Sequence, residues 1–293
     1  MCAMTMPSKL YDVLIVGKGP AGISAALYAL RANLSVAIVA KDSGALSRAH
    51  LISNYYGLEA PIPGADLEKR GETQAKALGA EFFDGEVLDL MFSDVFELKT
   101  KDAAFKAKTV IVAAGAVRSK APVPGLDAYE GKGVSYCAVC DGFFYRKKPV
   151  AVLGNGAFAL AEAKELLPLA SSVTICTLGK DPLVEISSEF SVEKEALESV
   201  EGNGKVERLK FASGKTVAVD GIFVALGSAS AADLARKAGA AVEKNKLVVD
   251  EKLMTTVPGL FAAGDCLGGI LQVAVAVGEG ARAALGSIEF IRK

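Results

Sequence analysis

A β-branched run that stops at glycines and turns directly into an Ala/Leu-rich helix occurs twice in this chain, and that doubling narrows its possible folds more than any other feature. In the first copy Tyr11–Val16 reads as a strand, Gly17-Lys18-Gly19-Pro20-Ala21-Gly22 as the turn and Ile23–Arg31 as the helix. In the second, Pro149–Leu153 runs into Gly154-Asn155-Gly156-Ala157-Phe158-Ala159 and an Ala/Glu/Leu helix. Glycines at such a turn let the backbone approach a pyrophosphate, and the helix N-terminus presents free N–H groups and positive dipole to it. The pattern predicts an α/β fold of two dinucleotide-binding, Rossmann-like, three-layer domains.

Gly17 to Gly115, which closes the buried run Thr109–Ala113, spans 98 positions; Gly154 to Gly227, which closes Ile222–Ala225, spans 73. The second copy is therefore 25 residues shorter. Gly259-Leu260-Phe261-Ala262-Ala263-Gly264-Asp265-Cys266 reads as a strand meeting a Gly-Asp turn, with a helix from about Gln272 to Ile291. Lacking glycines of the dinucleotide type, this tail is expected to complete the first unit. The strand Ser35–Val39 ends at Ala40-Lys41 rather than at the Asp or Glu that usually takes the ribose hydroxyls, so the adenosine end is expected to be held differently, with Asp42 near enough to substitute. Residues 43–66 read as loop, about Leu67–Leu78 as helix, and Glu86–Leu90 and Val95–Lys99 as short strands.

Of the 293 residues 51% are hydrophobic, and Lys+Arg 33 against Asp+Glu 34 leaves a formal charge of -1. Those totals carry neither a nucleic-acid footprint nor a polybasic membrane patch. Met1–Leu10 shows no leader pattern and no run of about 18 apolar residues occurs, so the expectation is a soluble, cytoplasmic protein with no membrane and no nucleic acid among its partners.

In a reducing compartment the pair in Ser135-Tyr136-Cys137-Ala138-Val139-Cys140-Asp141-Gly142 takes on meaning, because two cysteines so spaced close a tight ring that thiolate exchange opens and reforms. Half of a zinc site is the competing reading. It needs a second ligand pair, yet Cys2, Cys176 and Cys266 are scattered and the one histidine, His50, sits alone in a loop, so no metal is expected. Asp141, directly after the second cysteine, is a candidate acid/base for the released thiol; as a helix N-cap it would have a purely structural use.

Taken together, Gly17-x-Gly19-Pro20-Ala21-Gly22, Asn54 in an Asn-x-x-Gly loop, Val112-Ala113-Ala114-Gly115-Ala116, Cys137-x-x-Cys140-Asp141-Gly142-Phe143-Phe144 and Phe261-Ala262-Ala263-Gly264-Asp265 followed by Gln272 resemble the low-molecular-weight thioredoxin reductases over nearly the whole chain. The resemblance implies FAD in a discontinuous domain, 1–117 with 229–293, and an inserted domain, 118–228, that carries the disulfide. FAD contacts are then implied at Gly17, Gly19, Pro20, Ala21, Gly22, Lys41, Leu46, Asn54, Val87, Ala114, Gly115, Gly264, Asp265, Gln272, Val273 and Ala274. By the same resemblance Cys140 lies nearer the flavin, Cys137 attacks the disulfide of thioredoxin and Asp141 handles the proton. Family members are homodimers that turn one domain against the other.

The departures bear on the electron donor. Relatives that use NADPH carry Gly-Gly-Gly-x-Ser/Thr-Ala at the second turn and His-Arg-Arg after the next strand, whereas this chain has Phe158 at the hydroxyl position and Cys176-Thr177-Leu178-Gly179-Lys180 at the strand end. Phe158 is expected to put an aromatic ring against the pyrophosphate turn, and a 2′-phosphate would lack bidentate partners. Gly179–Val192 is too short and loop-like to rebuild a helix. The pattern resembles thioredoxin reductases that take electrons from ferredoxin. An NADPH- or NADH-dependent reductase, a dithiol oxidase passing electrons to oxygen, and a non-catalytic flavin-binding protein are the alternatives; Arg146-Lys147-Lys148 is either a docking patch for an acidic donor or a solvated turn.

Overall fold

The computed structural model describes residues 9–115 and 123–293. Cys2, most of Met1–Leu10, Ala116 and the expected domain boundary at 117/118 lie outside the described residues. The chain divides into two compact units, Met1–Arg118 with Ser230–Lys293 and Ser119–Ala229.

In the first unit the apolar runs form a parallel sheet in the order Glu81–Asp84, Val36–Ala40, Leu10–Val16, Ala104–Val112. Val36–Ala40 is buried at every position, as a strand covered on both faces must be. Ala104–Val112 is long enough to serve two neighbours along its other edge. Its C-terminal half pairs in parallel with Leu260–Ala262, and its N-terminal half pairs antiparallel with Phe96–Lys99, which continues to Asp89–Phe92. The tail thus completes this sheet. The strand expected at Glu86–Leu90 falls at Asp89–Phe92, and Glu81–Asp84 is an edge strand.

Two helices, Pro20–Arg31 and Val273–Ile291, pack on one another through small residues. Gly280 has no room for a side chain, since a Cβ there would come within 2.1 Å of the Ala21 carbonyl oxygen. Ala25, Ala26, Ala29, Ala283 and Ala284 join Val13, Ile15, Ile38, Ile111 and Phe261 in the core beneath. A buried hydroxyl pair, Thr109 and Ser287 at 2.6 Å, ties the last helix to the sheet. The helix expected from Leu67 begins three residues earlier, at Gly64, because Pro63 takes the N-cap position.

The second unit holds a five-stranded parallel sheet in the order Ser191–Glu193, Ser172–Cys176, Pro149–Leu153, Gly221–Val224, Val134–Ser135. A separate antiparallel ribbon, Leu197–Glu201, Arg208–Phe211 and Thr216–Ala218, closes its core with Leu209 and Phe211 against Leu153 and Ile222. Among the described residues of this unit only one helix of length, Ala157–Leu166, crosses between the strands, and none stands between Cys176 and Ser191. No helix among the described residues is long and apolar enough to cross a membrane.

Overpacking at the helix contact in the first unit sets a test of this architecture. Gly280→Ala should lower the unfolding free energy by about 1–3 kcal/mol, read as a lower melting midpoint by differential scanning calorimetry, because the new methyl meets backbone rather than a side chain that yields.

Candidate active site

The carboxyl ends of the parallel strands gather most of the expected cofactor residues at one edge of the first unit. Backbone bonds chain those ends together: Gly17 N–H donates to Val39, Ala113 N–H to Val16 and Ala263 N–H to Val112. Gly17 has φ 104 and its missing Cβ would lie 2.3 Å from the Ala113 carbonyl; Gly22 is equally confined, 2.1 Å from the Gly17 carbonyl. Gly19, the N-cap before Pro20, and Gly115 have nothing within 4 Å of an added Cβ. The turn is thus tight against the protein at Gly17 and Gly22 and open outward at Gly19, as a cradle for a pyrophosphate has to be.

Gly264, at φ 84, crosses Ala21 so closely that a Cβ would sit 2.9 Å from the Ala21 methyl, and its N–H donates to Glu279. Asp265 follows, with burial alone raising its pKa and no partner for its carboxylate among the described residues. Asn54 donates to the Gln272 side chain at 3.0 Å, which joins the Asn-x-x-Gly loop to the N-cap of the Val273–Ile291 helix and so to Val273 and Ala274. Lys41 pairs with Glu86 at 3.0 Å, beside the buried Val87, while Leu46 is buried on the turn Ala45–Arg48. Asp42 is exposed.

One buried carboxylate here was invisible in the sequence. Glu68, 6% exposed, has no hydrogen bond of good geometry to either oxygen among the described residues; the Ser43 side chain and the Gly44 backbone are close enough only to ease its ionisation slightly. Burial pushes its pKa up, against the pull of Lys18, whose own ion pair is with Glu72 at 2.8 Å.

In the second unit Cys137 and Cys140 form a disulfide at the start of the short helix Ala138–Asp141. Cys137 is 2% exposed and its sulfur accepts the Cys140 N–H at 3.2 Å; Cys140 is exposed. Asp141 does not use its side chain as an N-cap. Its carboxylate accepts the Ser135 hydroxyl at 2.7 Å, and the same hydroxyl oxygen accepts the Cys137 N–H at 3.1 Å. Ser135 therefore couples the acid/base candidate to the backbone of the cysteine. On the opposite side Glu162 accepts the Ala138 N–H at 2.7 Å. Phe143 and Phe144, just past the pair, are exposed, and the Arg146 guanidinium lies over the Phe143 ring. The other described cysteines, Cys176 and Cys266, are buried thiols whose pKa is pushed up to about 12, which leaves them poor nucleophiles. No group of His, Cys, Asp and Glu among the described residues could hold a metal ion, and His50 is exposed.

The second glycine turn is bonded to a loop of its own unit. Asn155 accepts the Leu183 N–H at 2.7 Å with its backbone carbonyl, and its side-chain amide donates to the Asp181 carbonyl at 2.9 Å. The loop that makes these bonds leaves the strand end through Leu178 at φ 57 and Gly179 at φ 78, a tight turn bearing only Lys180 as a cation. Phe158 departs from expectation: its ring is fully buried, so the position presents no hydroxyl at the turn rather than an aromatic face.

Two dinucleotide-type units, one bearing a Cys-x-x-Cys disulfide, define the class. The description of the pyridine nucleotide-disulphide oxidoreductases matches residues 11–280, and the chain belongs to that family. Within it the chain is similar to the thioredoxin reductase of Aquifex aeolicus, 36% identical with 98% of this chain and 95% of that protein covered. The atypical thioredoxin reductase TRi from Desulfovibrio vulgaris Hildenborough superposes with a TM-score of 0.90 at 39% identity, covering 96% of this chain and 98% of that one. A ferredoxin-flavin thioredoxin reductase from Clostridium acetobutylicum gives a TM-score of 0.71 at 33% identity, covering 97% and 98%. The activity is that of a thioredoxin reductase, and FAD is its cofactor.

Glu68 supplies a test by pH. Its folded pKa lies above the unfolded one, so the penalty is absent where both states are protonated, sets in as pH rises through the ordinary carboxyl range near 4, and is complete above the folded value. Glu68→Gln should therefore stabilise the protein by about 1 kcal/mol at neutral pH, with thermal melts of the two proteins converging toward pH 4.

Proposed function

We propose that this thioredoxin reductase takes its electrons from a protein donor, a ferredoxin, rather than from NADPH or NADH. The observation that carries this reading is the pair of hydrogen bonds between Asn155 and the 181–183 loop, which lays a segment of the chain's own backbone against the turn that a dinucleotide pyrophosphate would have to approach. The strand end after Cys176 adds to it, offering no arginine for a 2′-phosphate. The likeness to a ferredoxin-flavin enzyme supports the same donor.

FAD would be held by Gly17, Gly19, Pro20, Ala21 and Gly22 at its pyrophosphate, by Gly264 and Asp265 at its polyol, by Ala114, Gly115, Asn54, Gln272, Val273 and Ala274 toward the ring, and by Lys41, Leu46 and Val87 toward the adenosine. When bound it supplies a carrier that takes electrons singly and releases them in pairs. The chain's own residues do the rest. As thiolate, Cys137 attacks the disulfide of thioredoxin; Cys140 then attacks Cys137 in the mixed disulfide, releasing reduced thioredoxin and reforming Cys137–Cys140. Asp141, oriented by Ser135, gives the proton that the departing thioredoxin thiolate requires. Because Cys137 is the buried member of the pair, it has to be uncovered before thioredoxin reaches it. Homodimeric assembly belongs to the same reading.

Cys137→Ser should abolish thioredoxin reduction while the protein still purifies yellow, since a hydroxyl is a far poorer nucleophile than a thiolate. Anaerobic titration with NADPH, NADH and reduced ferredoxin separates the donors. Reduced ferredoxin is expected to bleach the flavin and support turnover, more slowly as salt screens the encounter, with both nucleotides inert. Prompt bleaching by sub-millimolar NADPH with thioredoxin turnover would overturn the reading.

A further inference from the structure

The helix that follows the second glycine turn, Ala157–Leu166, carries a carboxyl group that no nucleotide role explains. Glu162 is 1% exposed, points away from solvent, and accepts the N–H of Ala138, the residue between Cys137 and Val139, at 2.7 Å. The same helix seats the cysteine turn from below. An added Cβ at Gly142 would meet Leu166 and Leu169 at 3.2 Å, so the turn rests directly on this helix and the segment after it.

We propose that Glu162 is a positioning residue that keeps the Cys137–Cys140 pair strongly reducing. Two effects act in one direction. Of the N–H groups in the cysteine turn, that of Cys140 donates to the Cys137 sulfur and that of Ala138 is taken by Glu162, which leaves one donor fewer for a thiolate formed there. An ionised carboxylate at this position would also disfavour the thiolate by charge. A pair whose reduced form is stabilised as thiolate is an oxidant; withholding that stabilisation makes the dithiol a better electron donor. Ser135 bonds both Asp141 and the Cys137 N–H, so the cysteine turn is held by a proton-handling pair at one residue and by the group that sets its redox poise at the next. The helix after the second glycine turn thereby retains a use in a unit whose nucleotide site is closed.

The inference rests on Cys137–Cys140 being the working pair, and its test reads that pair with no ferredoxin, nicotinamide nucleotide or thioredoxin present. The FAD-loaded protein is equilibrated anaerobically with mixtures of reduced and oxidised dithiothreitol. Each turn of the reaction consumes one dithiol of the reagent, opens the Cys137–Cys140 bond to two thiols and yields one cyclic disulfide. The fraction opened is counted by alkylation. Glu162→Gln, which keeps the shape and an acceptor oxygen but removes the charge, should shift the equilibrium about tenfold toward the reduced pair, about 30 mV for two electrons, and make the exposed Cys140 alkylate several-fold faster. An unchanged constant, or a shift toward the disulfide, overturns the inference while leaving the pair's role intact. A wild-type pair that never opens overturns both. If the variant does not fold, hydrogen exchange in the unmodified protein decides. Strong protection of the Ala138 amide supports the contact, and exchange at the rate of a free loop amide removes it.

Discussion

Backbone lying against backbone at residue 21 is the contact on which the first unit depends. Gly280 brings the C-terminal helix onto the Ala21 carbonyl, Gly264 brings the returning strand onto the Ala21 methyl, and Gly22 folds the turn back onto Gly17. A single methylene at any of these places would move a helix N-terminus or a strand end by a sizeable fraction of an ångström, which packed interiors resist. Because both helices start beside the same strand ends, their N–H groups and the Gly264-Asp265 turn converge on one region. Small residues here do two jobs at once: they let elements approach, and they leave the ligand side open at Gly19.

Much of this could be read in the sequence because it is local. A strand, a glycine turn and a helix declare themselves within twenty residues, and the cysteine pair within four. The tail's membership of the first sheet also followed, since Leu260–Ala262 needed a partner and had no turn of its own. What escaped was set by distance along the chain. Glu162 meets Ala138 across 24 residues, and Asn54 meets Gln272 across 218, so neither partner could be named beforehand. Glu68 gave no signal because Glu on a helix is ordinarily solvated, and only packing against the loop and Lys18 reveals that it is not. Phe158 misled for the complementary reason: its position in the turn motif suggested a ring against the pyrophosphate turn, whereas its side chain is fully buried. The antiparallel ribbon Leu197–Ala218 was missed because its three strands are short and half-exposed, with weak alternation.

The two glycine turns make an internal control. Both sit at the carboxyl end of a parallel strand, both open a helix, and both have a first glycine pressed against a neighbouring carbonyl, Gly17 on Ala113 and Gly154 on Ala225. They differ in what faces them. The first looks outward past Gly19 and has carboxyl groups whose pKa burial raises in the same unit, at Asp265 and Glu68, whereas the second has Asn155 bonded twice to its own loop. The shared architecture therefore reports ancestry of form, and the side-chain partners report present use.

The Asn155 latch also changes how the second unit answers to its surroundings. On the proposed reading, a turn held by its own loop is binding-competent only for the fraction of time that the two bonds are open, and any ligand's apparent dissociation constant is raised by the inverse of that fraction. On that reading mass action then has little hold on it, and swings in the nucleotide pool would not stabilise the unit. Grafting arginines onto the strand end after Cys176 would consequently give a weak nucleotide binder unless the 181–183 loop were shortened or its hold on Asn155 removed in the same step.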